Sequence, residues 1–365
     1  MQPPEKLIRA SVRRMQGYTP GEQPGDPAVI KLNTNENPYP PSPRVREALL
    51  AAAADTWRLY PDPLCRALRR AIADLHQCAP EQVFVGNGSD EILALCATVF
   101  VENDGAIGFF DPSYSLYPVL AQIRDVAIRP SALNADCDWP NPDPLAADLF
   151  WLTNPNAPSG RLYDPAQVAD FCRQARGVVA IDEAYVDFSR TNCMPLALTM
   201  PNVLVLRSLS KSYSLAGLRA GYAVGPAALI DAFYKVKDSY NVNRLTQAAA
   251  RAAILDQACM RANVAKIQNT RQRLAAALAG LNFKVWPSEA NFLWVRPPAP
   301  GAARLYELLK ERGILARYFP GARTGSNLRI SIGTDAQTDR LLAEITASGR
   351  RFQIDAGAAA GYAWP

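Results

Sequence analysis

Histidine is nearly absent from this sequence: His76 is the single histidine among 365 residues. Zinc sites built from several histidines, Ser-His-Asp triads and Cys-His dyads are therefore excluded unless His76 itself takes part. The surrounding stretch, IADLHQCAP, is typical of the end of a helix, where we expect a capping or surface role for His76. Acid and base chemistry would then fall to Lys, Tyr, Asp or Glu side chains.

The sequence also lacks paired cysteines, long apolar segments and blocks of basic residues. The seven cysteines are an odd number and form no CxxC pair, which favours reduced thiols in a cytoplasm. No secretion signal opens the chain, and no apolar run approaches the roughly 18 residues of a membrane helix. The net charge of +5 is scattered, which favours anionic small molecules over nucleic acid. We expect a soluble, cytoplasmic protein that binds neither membrane nor nucleic acid.

The usual phosphate-binding consensus sequences do not occur. The stretch VFVGNGSDEI contains Gly86 and Gly88 but lacks the third glycine of a dinucleotide fingerprint, and there is no GxxxxGK[ST] loop. Ser89 and Asp90 nevertheless open a predicted helix, and the free amides of a helix N-terminus can bind an anion such as phosphate. A simple helix cap by Ser89 explains the same pattern.

Short apolar runs alternate with helical patterns through most of the chain. The runs VFVG, AIGFF, DLFWLT, VVAID and NVLVLRS are typical of buried strands, and their alternation with helices predicts a mostly parallel α/β sheet. The later stretches FKVWPS, NFLWVR and LRISIG, with helices between them, predict a smaller α+β domain. The expected organisation is an N-terminal arm (1–45), a large cofactor-binding domain (46–244), a connecting helix (245–281), a small C-terminal domain (282–350) and a disordered tail (351–365).

Three polar elements follow predicted strands of the large domain. Ser89 opens its helix, Asp182 ends the run VVAID, and Lys211 lies in SLSKSYS shortly before Arg219. Ligands of open α/β sheets bind at the carboxyl ends of the strands, so these residues are expected to converge. A phosphate site, a carboxylate for a pyridinium nitrogen and a lysine for a Schiff base are what pyridoxal 5′-phosphate requires. Charge-assisted hydrogen bonds from Arg219, together with nearby serines, would complete the phosphate site.

The ordered motifs KLNTNENPYP, YPDP, GNGSDE, DPSYSLY, TNPNAPSG, IDEAY, SLSKSYSLAGLRAGY and LRISIG resemble those of aminotransferases of fold type I, class II. The similarity is strongest to the histidinol-phosphate aminotransferase family and extends from about Ile8 to Ala347. It implies the fold of PLP-dependent transferases, with a mostly parallel sheet in the large domain and a smaller α+β domain.

The resemblance also implies roles for individual residues around the cofactor. Lys211 would bind the cofactor and move protons, and Asp182 would pair with the pyridinium nitrogen. Asn154 and Tyr185 would contact the phenolic oxygen, and Tyr114 would stack on the ring. The phosphate would be held by Ser89, Asp90, Ser208, Ser210 and Arg219.

Further roles extend the site beyond the cofactor. Tyr60 would reach the phosphate of the other subunit, which implies a homodimer with shared active sites. Arg329 would hold an anionic group of the amino donor, while Arg317 and Tyr18 would bind a substrate phosphate, although an arginine such as Arg317 is often simply solvent-exposed. Asn37 would line the pocket, and no metal is expected.

Two departures from the family pattern lie in TNPNAPSG, where Ala157 and Ser159 replace the more usual Asn and Thr, and a third is Ser208 in place of Thr. None is expected to remove a donor that the cofactor needs.

The expected activity is the reversible transamination of histidinol phosphate with 2-oxoglutarate in histidine biosynthesis. A threonine-phosphate decarboxylase or an aromatic amino acid aminotransferase of the same fold is the alternative. The residues from Ser208 to Lys211 also fit the SxxK pattern of serine acyltransferases, but the accompanying SDN and KTG elements are missing. A non-catalytic relative is a third possibility, which the joint presence of Lys211, Asp182 and Arg219 disfavours.

Overall fold

The computed structural model describes residues 3–52 and 55–359. Its β-strands are β1 (Ile30–Lys31), β2 (Val83–Gly86), β3 (Ala106–Asp111), β4 (Ala127–Ala132), β5 (Leu149–Thr153), β6 (Val178–Asp182), β7 (Val203–Ser208), β8 (Gly221–Val224), β9 (Lys284–Val285), β10 (Phe292–Arg296), β11 (Ile314–Leu315), β12 (Arg317–Tyr318) and β13 (Leu328–Ser331). Its α-helices are α1 (Ala10–Arg14), α2 (Pro43–Ala52), α3 (Arg66–His76), α4 (Ser89–Phe100), α5 (Leu116–Arg124), α6 (Pro165–Gln174), α7 (Met194–Thr199), α8 (Ala227–Val236), α9 (Arg244–Ile254), α10 (Gln257–Gly280), α11 (Ala302–Glu311) and α12 (Asp335–Ala359).

A seven-stranded sheet forms the centre of the large domain, in the order β2-β8-β7-β6-β5-β3-β4. Strands β3 to β7 run parallel, and β8 is antiparallel to both of its neighbours. The α/β class expected from the sequence is thus confirmed. Because the parallel strands end at one edge, the loops after β5, β6 and β7 lie side by side there.

The central strands are apolar on both faces because both faces are covered. In β7, Val203 and Val205 pack into one hydrophobic cluster while Leu204 and Leu206 pack into the cluster on the opposite face, and all four are 0% exposed. Continuous apolar runs of this kind are typical of parallel sheets buried between helices. The rigid core brings polar side chains to the strand ends.

A four-stranded antiparallel sheet, in the order β12-β13-β10-β9, forms the smaller domain. The N-terminal arm is attached to this domain because β1 pairs in parallel with β11, with Ile30 opposite Ile314. The arm is therefore more than an extended segment, since it contributes both α1 and β1.

Two expected boundaries differ from the structure. The single connecting helix is wrong: α9 and α10 are separated at Leu255 and Asp256, where the Asp256 carboxylate accepts a hydrogen bond from the Cys259 backbone N–H (3.3 Å) and caps α10. Helix α12 continues through Ala359 into the expected disordered tail, in a stretch rich in alanine, the best helix former. Residues 360–365 of that tail lie outside the described residues.

His76 ends α3, as the sequence indicated, but it faces inward instead of capping the helix. Its Nε2 lies 2.9 Å from the Tyr222 hydroxyl. Burial and the positive charge of Arg207 lower the pKa of His76 to about 3, so the ring is neutral. Across the described ranges, no helix has both the length and the apolar character that crossing a bilayer requires.

The buried centre of β7 predicts a large effect of truncation. Leu204→Ala should lower the free energy of unfolding by about 3 kcal/mol, because the substitution leaves a cavity between sheet and helices. Leu255→Ala is the matched control, since Leu255 is 50% exposed, and it should change stability by less than about 0.5 kcal/mol. Urea unfolding compares the two variants, and equal midpoints would contradict this account of the core.

Candidate active site

A cavity of about 320 Å³ opens at the carboxyl ends of β5, β6 and β7. It lies where the large sheet, the N-terminal arm and the small domain meet. The residues from the sequence prediction that line it are Tyr18, Ser89, Asp90, Tyr114, Asp182, Tyr185, Ser208, Ser210, Lys211, Arg219, Arg317 and Arg329. The fold thus brings together groups as far apart in sequence as Tyr18 and Arg329.

Lys211 is the half-buried amine of this cavity. Its Nζ donates a hydrogen bond to the backbone oxygen of Thr34 in the arm (3.0 Å). Burial, reinforced by the positive charge of Arg329, lowers the pKa of Lys211 to about 8. About a tenth of the amine is therefore neutral at pH 7, far more than for an ordinary lysine, and the neutral form is what a nucleophile or base requires.

Asp182 ends β6 at the bottom of the cavity and is almost completely buried. Its carboxylate accepts hydrogen bonds from the Tyr117 hydroxyl (2.8 Å) and the Ala184 backbone N–H (3.1 Å). Burial raises the pKa of Asp182 to about 6, although the hydrogen bond from Tyr117 opposes the shift. A cation placed against this carboxylate would relieve the cost of burying its charge.

The glycines around the start of α4 make room for an anion. Gly88 has φ +85°, and a Cβ there would lie 2.6 Å from Arg219 Nη2. A Cβ on Gly221 would lie 2.6 Å from the backbone N of Ser89. Any larger residue at either position would fill the space beside the helix N-terminus, where backbone amides and the helix dipole favour a phosphate.

Arg219 completes this anion site. Its Nη1 donates to Ser210 Oγ (3.3 Å), and its Nη2 donates to the Asp90 carboxylate (3.2 Å). The Ser208 hydroxyl accepts a hydrogen bond from the backbone N–H of Ser210 (3.1 Å), which shapes the turn before Lys211. The guanidinium is thus held at the rim, where it can bind a phosphate.

Two arginines of the small domain face the same cavity. Arg329 donates to the backbone oxygen of Asn33 (3.0 Å), and its Nε is buried without a hydrogen-bond partner among the described residues. Arg317 donates to the backbone oxygens of Thr19 (2.9 Å) and Pro20 (3.2 Å) in the arm. Both guanidinium groups favour an anionic ligand near Lys211.

The aromatic wall is formed by Tyr114 and Tyr18, whose rings meet edge to face with centroids 5.9 Å apart. The Tyr114 hydroxyl donates to Asp90 (3.2 Å), which orients its ring toward the anion site. Tyr18 and Tyr114 also border a second cavity of about 280 Å³ that shares Ala157, Arg317 and Arg329 with the first. The two cavities therefore adjoin along this aromatic wall.

Three predicted site residues do not line the cavity. Asn154 is the first: its Oδ1 accepts a hydrogen bond from the Tyr163 backbone N–H (2.8 Å), and its Nδ2 donates to the Tyr163 oxygen (3.2 Å). Its amide is thus used to hold the following loop, and the residue of this turn that faces the cavity is Ala157. The expected contact of Asn154 with a cofactor oxygen is corrected accordingly.

Asn37 and Tyr60 are the other two. Asn37 Nδ2 donates to the backbone oxygens of Lys211 and Ser212 (both 3.1 Å), so it supports the lysine loop from behind instead of lining the pocket. Tyr60 is 75% exposed and stacks on Tyr240, with ring centroids 4.2 Å apart. It lies away from the cavity of its own chain.

The sequence reasoning missed Tyr117, Thr153 and Asn35. The Tyr117 hydroxyl lies 2.5 Å from Thr153 Oγ1 and donates to Asp182, so both residues position the buried carboxylate. Tyr117 belongs to the motif DPSYSLY, which also contains the predicted site residue Tyr114, so the motif itself indicated that Tyr117 could lie near the site. Asn35 donates to the Tyr185 hydroxyl (3.0 Å) and belongs to KLNTNENPYP, from which only Asn37 was selected.

Comparisons with known proteins agree with this geometry. The sequence pattern of the family "Aminotransferase class I and II" matches residues 27–345. Histidinol-phosphate aminotransferase of Geotalea daltonii is 41% identical over 344 residues, which cover 94% of this chain and 99% of that protein. Histidinol-phosphate aminotransferase 2 of Thiobacillus denitrificans is 46% identical over 341 residues, covering 91% of this chain and 95% of that protein. The crystal structure of histidinol-phosphate aminotransferase from Sinorhizobium meliloti in complex with pyridoxal 5′-phosphate has a TM-score of 0.78 at 28% identity, covering 86% of this chain and 89% of that one.

The family pattern spans both domains and includes the buried lysine and carboxylate, which defines a PLP-dependent aminotransferase of fold type I. Since both relatives match over nearly their entire length, the chain belongs to the histidinol-phosphate aminotransferase family.

The cavity fits pyridoxal 5′-phosphate, the cofactor of this class. Asp182 offers a buried carboxylate for the pyridine nitrogen, Lys211 offers an amine with a lowered pKa, and the space kept open by Gly88 and Gly221 suits a phosphate. Across the described ranges, no group of three or more His, Cys, Asp and Glu side chains is arranged to hold a metal ion.

The bond from Tyr117 to Asp182 predicts a measurable effect on cofactor affinity. Tyr117→Phe should raise the pKa of Asp182, because the hydroxyl stabilises the charged carboxylate, and should weaken cofactor binding about tenfold. The loss should grow below pH 6, where more of the carboxylate is protonated. Absorbance titration of the apoenzyme with cofactor at several pH values measures this.

The control for that experiment is Tyr163→Phe. Tyr163 is also buried, but its hydroxyl donates to the Cys137 backbone oxygen (3.2 Å), outside the cavity. Its cofactor affinity should equal that of the native protein. Equal affinities of the two variants would show that Tyr117 does not support Asp182.

Proposed function

We propose that this chain catalyses the reversible transfer of an amino group from histidinol phosphate to 2-oxoglutarate, giving imidazole acetol phosphate and glutamate, in histidine biosynthesis. The observation that carries the proposal is the pair Arg317 and Arg329, two cations that face the Lys211 cavity. One substrate carries a phosphate and the other carries carboxylates, so both require cationic partners. The names of the relatives support histidinol phosphate as the amino donor.

Pyridoxal 5′-phosphate, when bound, supplies an aldehyde that reacts with amines and a ring that accepts electrons. With the cofactor bound, Lys211 would act as base and acid: its neutral Nζ would take a proton from the substrate Cα and hold it for return to the reacting atoms. The lowered pKa of about 8 matches this task, because efficient proton transfer in both directions requires a pKa near the working pH. Thr34 orients Nζ through the 3.0 Å hydrogen bond.

Asp182 would hold a proton on the ring nitrogen of the cofactor. Its carboxylate is buried, so the electrostatic interaction with a pyridinium cation is weakly screened. Arg219, Ser208 and Ser210 would hold the phosphate, which would fix a second point of the cofactor besides the Asp182 contact.

The substrate anions are divided between the two arginines of the small domain. Arg329, with its unpartnered Nε, binds the α-carboxylate of glutamate or 2-oxoglutarate. Histidinol phosphate has no carboxylate, so its phosphate is bound by Arg317 with Tyr18. Because Arg317 is hydrogen-bonded to arm oxygens, the phosphate contact also orders the arm against the small domain.

The proposed reaction predicts a two-step spectral change of the yellow holoenzyme. Histidinol phosphate alone should bleach the visible band, and 2-oxoglutarate should restore it, because each substrate drives one half of the reaction. Histidinol without phosphate should need at least about 100-fold higher concentration, since charge-assisted hydrogen bonds to the phosphate are lost. Visible absorbance titration measures both.

Arg317→Gln separates the phosphate contact from general effects. The variant should lose most of the preference for histidinol phosphate over histidinol, whereas Arg304→Gln on the surface of α11, where Arg304 is about half exposed, should keep it. Bleaching only by aromatic amino acids would favour the aromatic aminotransferase alternative. Carbon dioxide release from threonine phosphate would favour the decarboxylase.

We also propose a homodimer in which Tyr60 contacts the cofactor phosphate of the partner subunit. Tyr60 is 75% exposed, and its neighbours Trp57 and Leu59 are 61% and 50% exposed, which forms an apolar surface patch. Such patches mark interaction sites. The Tyr60 backbone is held by Arg244 Nη2 (3.0 Å), so the patch has a defined geometry.

Mixed dimers test the shared site. Lys211→Ala and Tyr60→Ala homodimers should each have little activity. Unfolding and refolding them together should restore about half of native activity per mixed dimer, because one of its two sites contains both native residues, and about a quarter in the randomly paired mixture. Absence of any recovery, with dimers confirmed by light scattering, would contradict the shared site.

We further infer a cytoplasmic location. All seven cysteines are free thiols, and five of them are buried, which suits a reducing compartment.

A further inference from the structure

The three anchors of the cofactor determine where its phenolic oxygen lies. In pyridoxal 5′-phosphate this oxygen is on the ring carbon adjacent to the one that carries C4′, on the side opposite the phosphate arm. With the ring nitrogen at Asp182, C4′ at Lys211 and the phosphate beside Ser89 and Arg219, the phenolic oxygen points away from the phosphate site. This inference rests on the cofactor of the proposed function, and it is independent of the substrate.

The strand order identifies the wall on that side. The phosphate site is built at the ends of β2, β7 and β8, which lie on one side of β6 and Asp182. Strand β5 lies on the other side of β6, and the turn that follows it, TNPNAPSG, reaches the cavity through Ala157. The phenolic oxygen therefore faces Ala157 and Tyr185, which follows β6.

The turn after β5 contains two asparagines, and neither offers its amide to the cavity. Asn154 is hydrogen-bonded to the Tyr163 backbone at both ends of its amide. Asn156 Nδ2 donates to Ser159 Oγ (2.9 Å), and its Oδ1 accepts from Ser113 Oγ (3.1 Å). Two residues of this stretch line the cavity, Thr153 and Ala157. The Thr153 hydroxyl donates to the Tyr117 oxygen (2.5 Å), because Tyr117 gives its own proton to Asp182. Ala157 is 4% exposed, and its methyl group donates no hydrogen bond.

Tyr185, in contrast, is oriented as a donor. The Asn35 backbone N–H donates to Ser331 Oγ (2.9 Å), so the Ser331 hydroxyl donates its proton to Asn35 Oδ1 (2.8 Å). That contact fixes the amide with Nδ2 toward the Tyr185 oxygen (3.0 Å). Since the Tyr185 oxygen accepts from Asn35, its own proton is free for the cavity. Burial raises the pKa of Tyr185, so the proton is retained.

We propose that Tyr185, oriented by Asn35 and Ser331, is the one side-chain donor on the wall that holds the phenolic oxygen, and that Ala157 leaves the β5 side of this wall without a second donor. With one hydrogen bond, the oxygen keeps more negative charge. That charge attracts the proton on the nitrogen joining Lys211 to the cofactor. The linkage should thus stay protonated to a higher pH than it would with two donors.

The test is the pH midpoint of the visible spectrum of the holoenzyme without substrate. Ala157→Asn places an amide in the cavity beside the phenolic oxygen and should lower the midpoint by about one pH unit. Ala157→Leu is the matched control, because leucine has a similar size and no donor, and it should leave the midpoint unchanged. Equal midpoints for Asn and Leu would overturn the proposal.

Tyr185→Phe keeps the proposal testable if the Ala157 variants do not fold. It removes the remaining donor and should raise the midpoint by about one pH unit or more. In the double variant, Ala157→Asn should bring the midpoint back toward the native value. An unchanged midpoint in Tyr185→Phe would show that another group holds the oxygen and would overturn the assignment.

Asn35→Asp tests the positioning role. Asn35 has φ +57°, which Asp tolerates as well as Asn. The new carboxylate would accept the Tyr185 proton and turn the donor away, so the midpoint should rise, and it should rise less in the Tyr185→Phe background. Equal shifts in both backgrounds would mean that the added negative charge alone moves the midpoint. That result would contradict the positioning role of Asn35.

The spectral test is separate from the substrate test. If the midpoints behave as stated but histidinol phosphate does not bleach the band, the substrate assignment fails and this inference stands. If the band bleaches with histidinol phosphate but the midpoints do not move, the reverse holds. A protein that takes up no cofactor would overturn both.

Discussion

The burial of the Asp182 carboxylate is the constraint on which the site depends. A charged group at the end of a central strand loses its hydration, and the pKa of about 6 reflects that cost. Tyr117, itself held by Thr153, and the Ala184 backbone reduce the cost without removing it. The same burial lowers the pKa of Lys211 to about 8, so both groups are poised near neutral pH in a cavity that favours a bound cation at one end and a reactive amine at the other. A bound cofactor would place a cation against the Asp182 carboxylate and would give the Lys211 amine a group to react with.

A second set of charges lies next to the cavity residues in sequence but does not line the cavity. Glu183 directly follows Asp182 at the end of β6, and Arg207 directly precedes Ser208 at the end of β7. Glu183 Oε2 and Arg207 Nη2 form a salt bridge (2.8 Å) in which the glutamate side chain is 0% exposed and the arginine side chain 12% exposed. Asp187 accepts a hydrogen bond from Ser212, the residue after Lys211. Because neighbouring residues of a strand point in opposite directions, Glu183 and Arg207 can pair with each other while Asp182 and Ser208 line the cavity. Removing one partner of such a buried pair costs about 3–5 kcal/mol.

The sequence predicted the residues that end strands better than those in turns. Asp182 follows a continuous apolar run, so its place at the edge of a parallel sheet could be inferred. The position of Lys211 could be inferred in the same way, because it comes shortly after the next apolar run. Asn154 could not be placed, because the direction of a side chain in TNPNAPSG depends on hydrogen bonds to Tyr163 that the sequence does not show. The break between α9 and α10 was missed for a similar reason: the alanine-rich pattern continues across it, and only the contacts of Asp256 with Cys259 and with Ser42 in the arm end one helix and start the next. Tyr60 stays a prediction, since its proposed partner belongs to another subunit.

The arm connects cofactor chemistry to substrate binding. Within about four residues it supplies Thr34, which holds Lys211, and Asn35, which orients Tyr185, while Asn33 binds Arg329 through its backbone oxygen. The pairing of β1 with β11 fixes this segment to the small domain, so a movement of that domain displaces the partners of the lysine, the tyrosine and the arginine together. If Arg317 and Arg329 bind the substrate anions as proposed, an anion there would stabilise the position of the small domain against the arm. Binding of the charged group, remote from the reacting carbon, would then also stabilise the geometry around Lys211.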